Sequence, residues 1–292
     1  MNSPYYPSDT LRMHISGKGY GMHVYHLPKK KSAPRPFDLI VCAVGCVLVV
    51  AGILALHEHR KSVHAYQTLS SQVHASFATQ DTETIQTSHP STGKSPDGSA
   101  INWQALWNIN ADAAAWVRVE GTSIDLPVLA PRDGDMTYYL SHDIWGEESL
   151  EGVPFLDHRC SADDAHRLVY GHHLTTGGQF SDLQRCFQQE YFESLGYCHW
   201  ITPTSNDLVL EPLCALRIDM WYQPIQRFTF DNASSLTSWL ETLASQASAR
   251  ARNWSSIVRD ARSAVTLCTC ASDISGQPWR TVVLFCERST AG

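Results

Sequence analysis

Nine cysteines occur in the 292 residues, yet none stands in a C-x-x-C pair. That absence removes the usual framework of a structural zinc site. Equally missing is a basic stretch interleaved with aromatics. Residues 1–56 hold six Lys/Arg against two Asp/Glu, so the overall charge of −7 leaves −11 for everything beyond. A body that acidic repels phosphate backbones, which excludes nucleic-acid binding as a class. There is no internal repeat either.

What is present is enough for one sizeable core: 43% of the residues are hydrophobic, and the length allows a domain of about 200 residues plus appendages. Residues 39–56, LIVCAVGCVLVVAGILAL, form an uncharged run long enough, at about 1.5 Å per residue, to cross most of a hydrocarbon core. Lys29, Lys30, Lys31 and Arg35 lie just before it, and their excess over the segment that follows puts the N-terminus in the cytoplasm and the rest outside. The run exceeds a signal peptide's apolar core and no small-x-small cleavage site follows, so an uncleaved, single-pass anchor is expected. The expected organisation is a cytoplasmic segment (1–38), a transmembrane anchor (39–56), an extracellular stalk and linker (57–100) and a catalytic domain (101–292). Residues 57–76 extend the helix, and the Ser/Thr/Pro/Gly-rich stretch 79–100 is a spacer.

Beyond residue 100 a short helix is expected where Trp103, Leu106 and Trp107 recur at helical spacing. The runs WVRVEG, SIDLPVLA, RLVYG, LVLEPLCALRIDMWY, SAVTLCTC and WRTVVLFCE then read as strands. Residues 231–249 are the exception: Asp231 or Asn232 can cap a helix whose Leu236, Trp239, Leu240 and Leu243 make one apolar stripe. The fold class is therefore mainly β. Cys42 and Cys46 fall within the anchor. If one of the other seven cysteines is a catalytic thiol, six remain as buried free thiols or disulfide partners whose pairing the sequence does not give.

Three residues draw attention as chemistry. AVTLCTC is a β-run ending at Cys270, and Arg280 opens the next run ten residues on. Two adjacent strands joined by ASDISGQPW would bring the Arg280 guanidinium to the Cys270 sulfur, where a fixed cation can hold a substrate carbonyl and its oxyanion. Upstream, LVYGHH sets His172 just past another β-run, placed to supply the acid and base steps a thiol nucleophile needs. Each has a plainer reading: core cysteine, loop histidine, solvated arginine.

TLCTC (266–270) with Arg280, and YGHH (170–173) followed by FSDL, resemble the sortase signatures TLxTC…R and GH. LWNINADAAAWVRVEGTSIDLPV (106–128), YYL (138–140) and GVPFLD (152–157) occur in the order of class B sortases, and the resemblance spans about residues 101–288. The N-terminal anchor and the helix at 231–249 are also similar to class B. The N-terminal lid and second, C-terminal anchor of pilus-building class C members are not evident in the sequence. The resemblance implies a sortase-type β-barrel with an N-terminal helix and a helix between the last strands. It implies Cys270 as nucleophile, His172 as general acid and base and Arg280 as oxyanion and substrate-positioning group, with no cofactor and no metal.

The chemistry implied is cleavage of an NPxTx-like sorting signal through a thioacyl-enzyme. A surface protein is then transferred to an amine of a cell-wall precursor or a pilin lysine. Leu140, Thr176, Thr266 and Cys268 are candidates for the peptide groove, and Asp273 for a residue supporting the site. His173 and Cys268 depart from the usual class B pattern, which often has Asn and a small hydroxyl residue at those positions. Two other classes remain open: a cysteine hydrolase of the same fold, and a non-catalytic surface module that binds peptides. A papain-like protease is disfavoured because there the cysteine precedes the histidine.

Overall fold

The computed structural model describes residues 36–75, 101–132, 134–205, 207–271 and 276–288. The basic cluster at Lys29, Lys30, Lys31 and Arg35, the spacer at 79–100 and Asp273 lie outside them. The chain divides into two compact units, Met1–Ala51 and Gly52–Gly292.

In the second unit nine strands form one sheet in the order β5-β1-β2-β3-β4-β8-β9-β6-β7, and an additional β5–β6 pairing closes eight of them into a barrel. They are β1 (Ala113–Val119), β2 (Asp125–Leu129), β3 (Phe155–Leu156), β4 (His166–Tyr170), β5 (Cys198–Ile201), β6 (Leu208–Asp219), β7 (Ala249–Arg250), β8 (Ala261–Cys270) and β9 (Trp279–Arg288). Closure removes the free edges that a long hydrophobic sheet would otherwise expose to other chains. The long runs read from sequence are β6, β8 and β9, whose antiparallel ladders hold the wall together.

These strands read as near-continuous apolar runs because both faces are covered. Val169, Val265, Leu267, Val283 and Phe285 fill one cluster with Trp116 and Trp200. The alternate residues Leu168, Cys268, Val282, Leu284 and Cys286 meet the helices α4 (Ala233–Gln246) and α5 (Trp254–Asp260). Asn232 caps α4 through a reciprocal capping box with Ser235, and Leu236, Trp239, Leu240 and Leu243 are its buried stripe. Each of these side chains contributes roughly 1.5–3 kcal/mol of burial. The helix ends before Ala249, which instead pairs with Ala215 as part of β7. The short helix expected after residue 100 is α2 (Trp103–Ile109), capped by the Asn102 side chain. Another short helix, α3 (Gln189–Phe192), precedes β5.

Helix α1 runs over Pro36–Ala75. It is the one helix among the described residues long and apolar enough to cross a membrane. Within the second unit, its later turns are not a free stalk: Tyr66, Leu69 and Val73 are buried against the barrel, and Ser70 Oγ donates to Asp125 Oδ2 at 2.8 Å.

Candidate active site

Strand parity assembles the site. Cys270 pairs with Arg280 across β8 and β9, and Cys268 with Val282. β4 runs parallel to β8 with Tyr170 beside Cys268, and the Gly171 N–H extends that ladder to the Cys268 carbonyl at 3.1 Å. Side chains two apart on a strand share a face, so His172, Cys270 and Arg280 come to one face at one end of three neighbouring strands. α4 and α5 cover this face further down and leave the Cys270 level open.

Two glycines fix how His172 leaves β4. A Cβ on Gly171 would stand 2.5 Å from the Phe180 ring. Only glycine lets Phe180 pack there while its N–H bonds the His172 carbonyl at 3.0 Å. That is the physical link between the YGHH and FSDL segments. Gly152, at φ +58, packs so closely that a Cβ would overlap the Tyr139 carbonyl and stand 3.1 Å from Leu140 O and 3.2 Å from His172 Cδ2. His172 Nε2 lies 2.8 Å from the Leu140 carbonyl. A carbonyl only accepts, so Nε2 is the donor in this contact. His173 instead forms an isolated bridge with Gln179 on the outgoing loop.

The Arg280 guanidinium is oriented by donating from Nη1 to the carbonyls of Gln277 at 2.9 Å and Trp279 at 3.0 Å. Beside it runs a groove of 320 Å³ lined by Met136, Leu140, Tyr170, Ile218, Cys268 and Arg280 among others. Its floor is held by Asp157, which is buried yet keeps its charge. Burial raises its pKa, but the Arg159 side chain and N–H and the Tyr170 hydroxyl, at 2.9 Å, outweigh this and hold it below the usual carboxylate range.

Of the four groove candidates, Leu140 and Cys268 line this groove. Thr176 lines a separate cavity beneath α1 with Tyr66 and Gln179. Thr266 is fully buried, its hydroxyl 2.8 Å from His166 Nε2; it shares the face of Cys268 and Cys270 but lies at a level that His166 already fills.

The thiols sort by burial. Those of Cys160, Cys186 and Cys268 are pushed up to about 11, 12 and 12 by desolvation, and those of Cys198, Cys214 and Cys286 are also raised by it. A thiolate is the reactive form, so these six are inert near neutral pH. Cys270 is partly exposed at the end of β8, across from Arg280 in the ladder, and every described cysteine is a free thiol. Among the described residues no three His, Cys, Asp or Glu side chains gather as a metal site.

An eight-stranded closed barrel with covering helices is the sortase fold. No protein-family profile matches the chain. Over 146 residues, 49% of this chain, it is 25% identical to sortase B of Listeria monocytogenes, and the match spans 57% of that protein, little more than half its length. Sortase B of Clostridium perfringens superimposes at a TM-score of 0.56 with 26% identity, covering 64% of this chain and 100% of that one. A Staphylococcus aureus sortase B–substrate complex gives 0.62 at 20% identity, over 80% of this chain and 100% of that one, which speaks for the fold alone. The chain is thus similar in sequence to class B sortases and shares their fold.

The residues that sequence reasoning missed are supporting ones. Asp157 had a signal, as the last residue of GVPFLD. The Leu140 carbonyl is a backbone group and has none. His166, stacked on Phe228 and Trp239, reads in sequence as one more strand residue.

Proposed function

We propose that this chain is a sortase B-like cysteine transpeptidase that cleaves a C-terminal, NPxTx-like sorting signal and joins the surface protein to an amine. The observation that carries the reading is the pairing of Cys270 with Arg280 across β8 and β9, with His172 on the same face at the end of β4. In the proposed reaction the Cys270 thiolate adds to the carbonyl carbon of the scissile amide while Arg280 donates to the carbonyl oxygen as it takes up charge. The C–N bond breaks as His172 protonates the leaving nitrogen, giving a thioacyl-enzyme. An acceptor amine then adds to the thioester, His172 takes its proton, and the thiolate leaves as the new amide forms.

The groove mixes apolar walls such as Met136, Leu140 and Ile218 with Asp157, Asp219 and Arg280, a lining suited to an extended peptide. The acceptor is an amine of a wall-precursor peptide or a pilin lysine. The apolar part of α1 is consistent with single-pass anchoring, with the N-terminus cytoplasmic and the barrel outside.

The test is mass spectrometry of the full chain in detergent, incubated with NPxTx and LPxTG peptides with and without an amine. A thioacyl adduct on Cys270 that converts to an amide only when amine is added supports the reading. An adduct released to water at the same rate with or without amine would make it a hydrolase, and no adduct with any peptide would remove the transpeptidase reading.

A further inference from the structure

Gly152 is touched from two sides. On one side an added Cβ would meet the Leu140 carbonyl and the His172 ring, and the Val153 N–H bonds the Tyr139 carbonyl at 3.1 Å. On the other side stands the second half of α1. Tyr66 is 8% exposed and its hydroxyl sits 3.5 Å from the Gly152 carbonyl, which also accepts from Gln179 Nε2 at 3.1 Å. About two turns earlier, His59 Nδ1 meets Glu151 Oε1 at 2.7 Å. The Tyr66 ring packs 5.6 Å from Trp145, which closes the space behind it.

We propose that Tyr66 and the His59–Glu151 pair are positioning residues: α1 presses residues 151–153 onto the Tyr139–Leu140 turn and so sets the hydrogen bond between the Leu140 carbonyl and His172 Nε2. The proposal rests on the reading of His172 as acid and base. A methyl group on Gly152 would overlap the Tyr139 carbonyl and stand only 3.1 Å from Leu140 O and 3.2 Å from the His172 ring, so this segment has little slack. A shift of this segment therefore moves Leu140 O or the His172 ring, and hydrogen bonds weaken steeply with misalignment. Misplacement of a catalytic group by about 1 Å costs about a hundredfold in rate, so a partial relaxation should cost about tenfold. The titratable groups around the contact are His59 and Glu151, Tyr66 with Asp143 nearby, and His172 itself.

The experiment uses the full chain in detergent and reads two things. One is kcat and KM with a sorting-signal peptide and amine. The other, independent of substrate, is the pH profile of Cys270 alkylation by iodoacetamide, followed on the Cys270 peptide, with His172→Ala as reference. Tyr66→Leu is expected to lower kcat about tenfold with KM within about twofold, and to move the alkylation profile toward that of His172→Ala. Tyr66→Phe, which keeps the ring, is expected to restore kcat to within about twofold of the parent. His59→Ala, at a part-exposed helix position that does not threaten folding, should show the same effects at about threefold. A parent-like kcat and alkylation profile in Tyr66→Leu and His59→Ala overturns the proposal, as does a loss of kcat with the profile unmoved. If His172→Ala itself leaves the profile unchanged, the base assignment falls and the proposal with it, an outcome distinct from a failure of α1 alone.

Discussion

Cys268 and Cys270 are two residues apart on one strand and point the same way, yet their surroundings differ. Burial lifts the Cys268 thiol to about 12, whereas Cys270 is partly exposed at the end of β8, paired with Arg280 in the ladder. Cys270→Ala should therefore abolish adduct formation, and Cys268→Ser should keep activity within about threefold, both read by mass spectrometry of the peptide reaction. A dead Cys268→Ser variant with an intact fold would mean that the second thiol takes part. Arg280→Lys should lower kcat/KM by about a hundredfold or more, the scale of losing one oxyanion donor, because an ammonium does not reproduce the planar fork. Gly152→Ala tests the backbone. At φ +58 and in contact with the Tyr139 carbonyl, the added methyl group should cost well over about 1 kcal/mol in urea unfolding. A parent-like midpoint would contradict the tight packing around His172.

At the level of elements, legibility followed burial. β6, β8, β9 and α4 stand out in sequence because each buries a long, regular set of apolar side chains. β3, β5 and β7 are two to four residues long and leave no periodicity to read, and α5 is a seven-residue helix without a side-chain cap. The Cys270, Arg280 and His172 set was proposed from motif and spacing, and the β8–β9 register pairs the first two. The groove was legible only in part: parity puts Thr266 on the right face, but parity does not tell that His166 occupies its level. That histidine ties β4 to β8 and to the chain before α4, with Nδ1 donating to the Arg227 carbonyl at 2.7 Å and Nε2 accepting from Thr266.

Desolvation lowers the His166 pKa from 6.5 to about 4, so the folded state holds it neutral while the unfolded chain protonates it. Its stabilising share is whole above pH 6.5 and is lost as the pH falls toward 4, for a total of about 3 kcal/mol. Asp157 acts in the same sense but below its ordinary carboxylate range, in a separate window. Urea midpoints measured between pH 7 and pH 4 should fall in the parent, and the fall should flatten in His166→Leu, which starts from a lower midpoint because two polar partners lose their bonds. Parallel slopes in the two proteins would rule His166 out as the acid-sensitive group.

On the scale of the whole molecule, the sequence separates a stalk and linker at 57–100 from a domain that begins at 101. Composition supports that division, since His57–His74 is polar enough to stand in water. What composition does not carry is the placement of three apolar residues, Tyr66, Leu69 and Val73, at 8%, 2% and 1% exposure. Spaced by three and four, they form a narrow stripe that reads as an ordinary exposed helix until a partner surface is known. Their burial, with the Ser70–Asp125 bond, makes the later part of α1 a piece of the barrel's outer layer. Two truncations separate the views. A chain beginning at Gly52 keeps the stripe and should melt and turn over like the full-length protein. One beginning at Thr79 exposes the barrel surface beneath it, and the loss of three buried side chains at roughly 1.5–3 kcal/mol each should lower its melting temperature by several degrees or more. Equal melting temperatures and equal kcat in the two chains would return residues 57–75 to the role of a stalk.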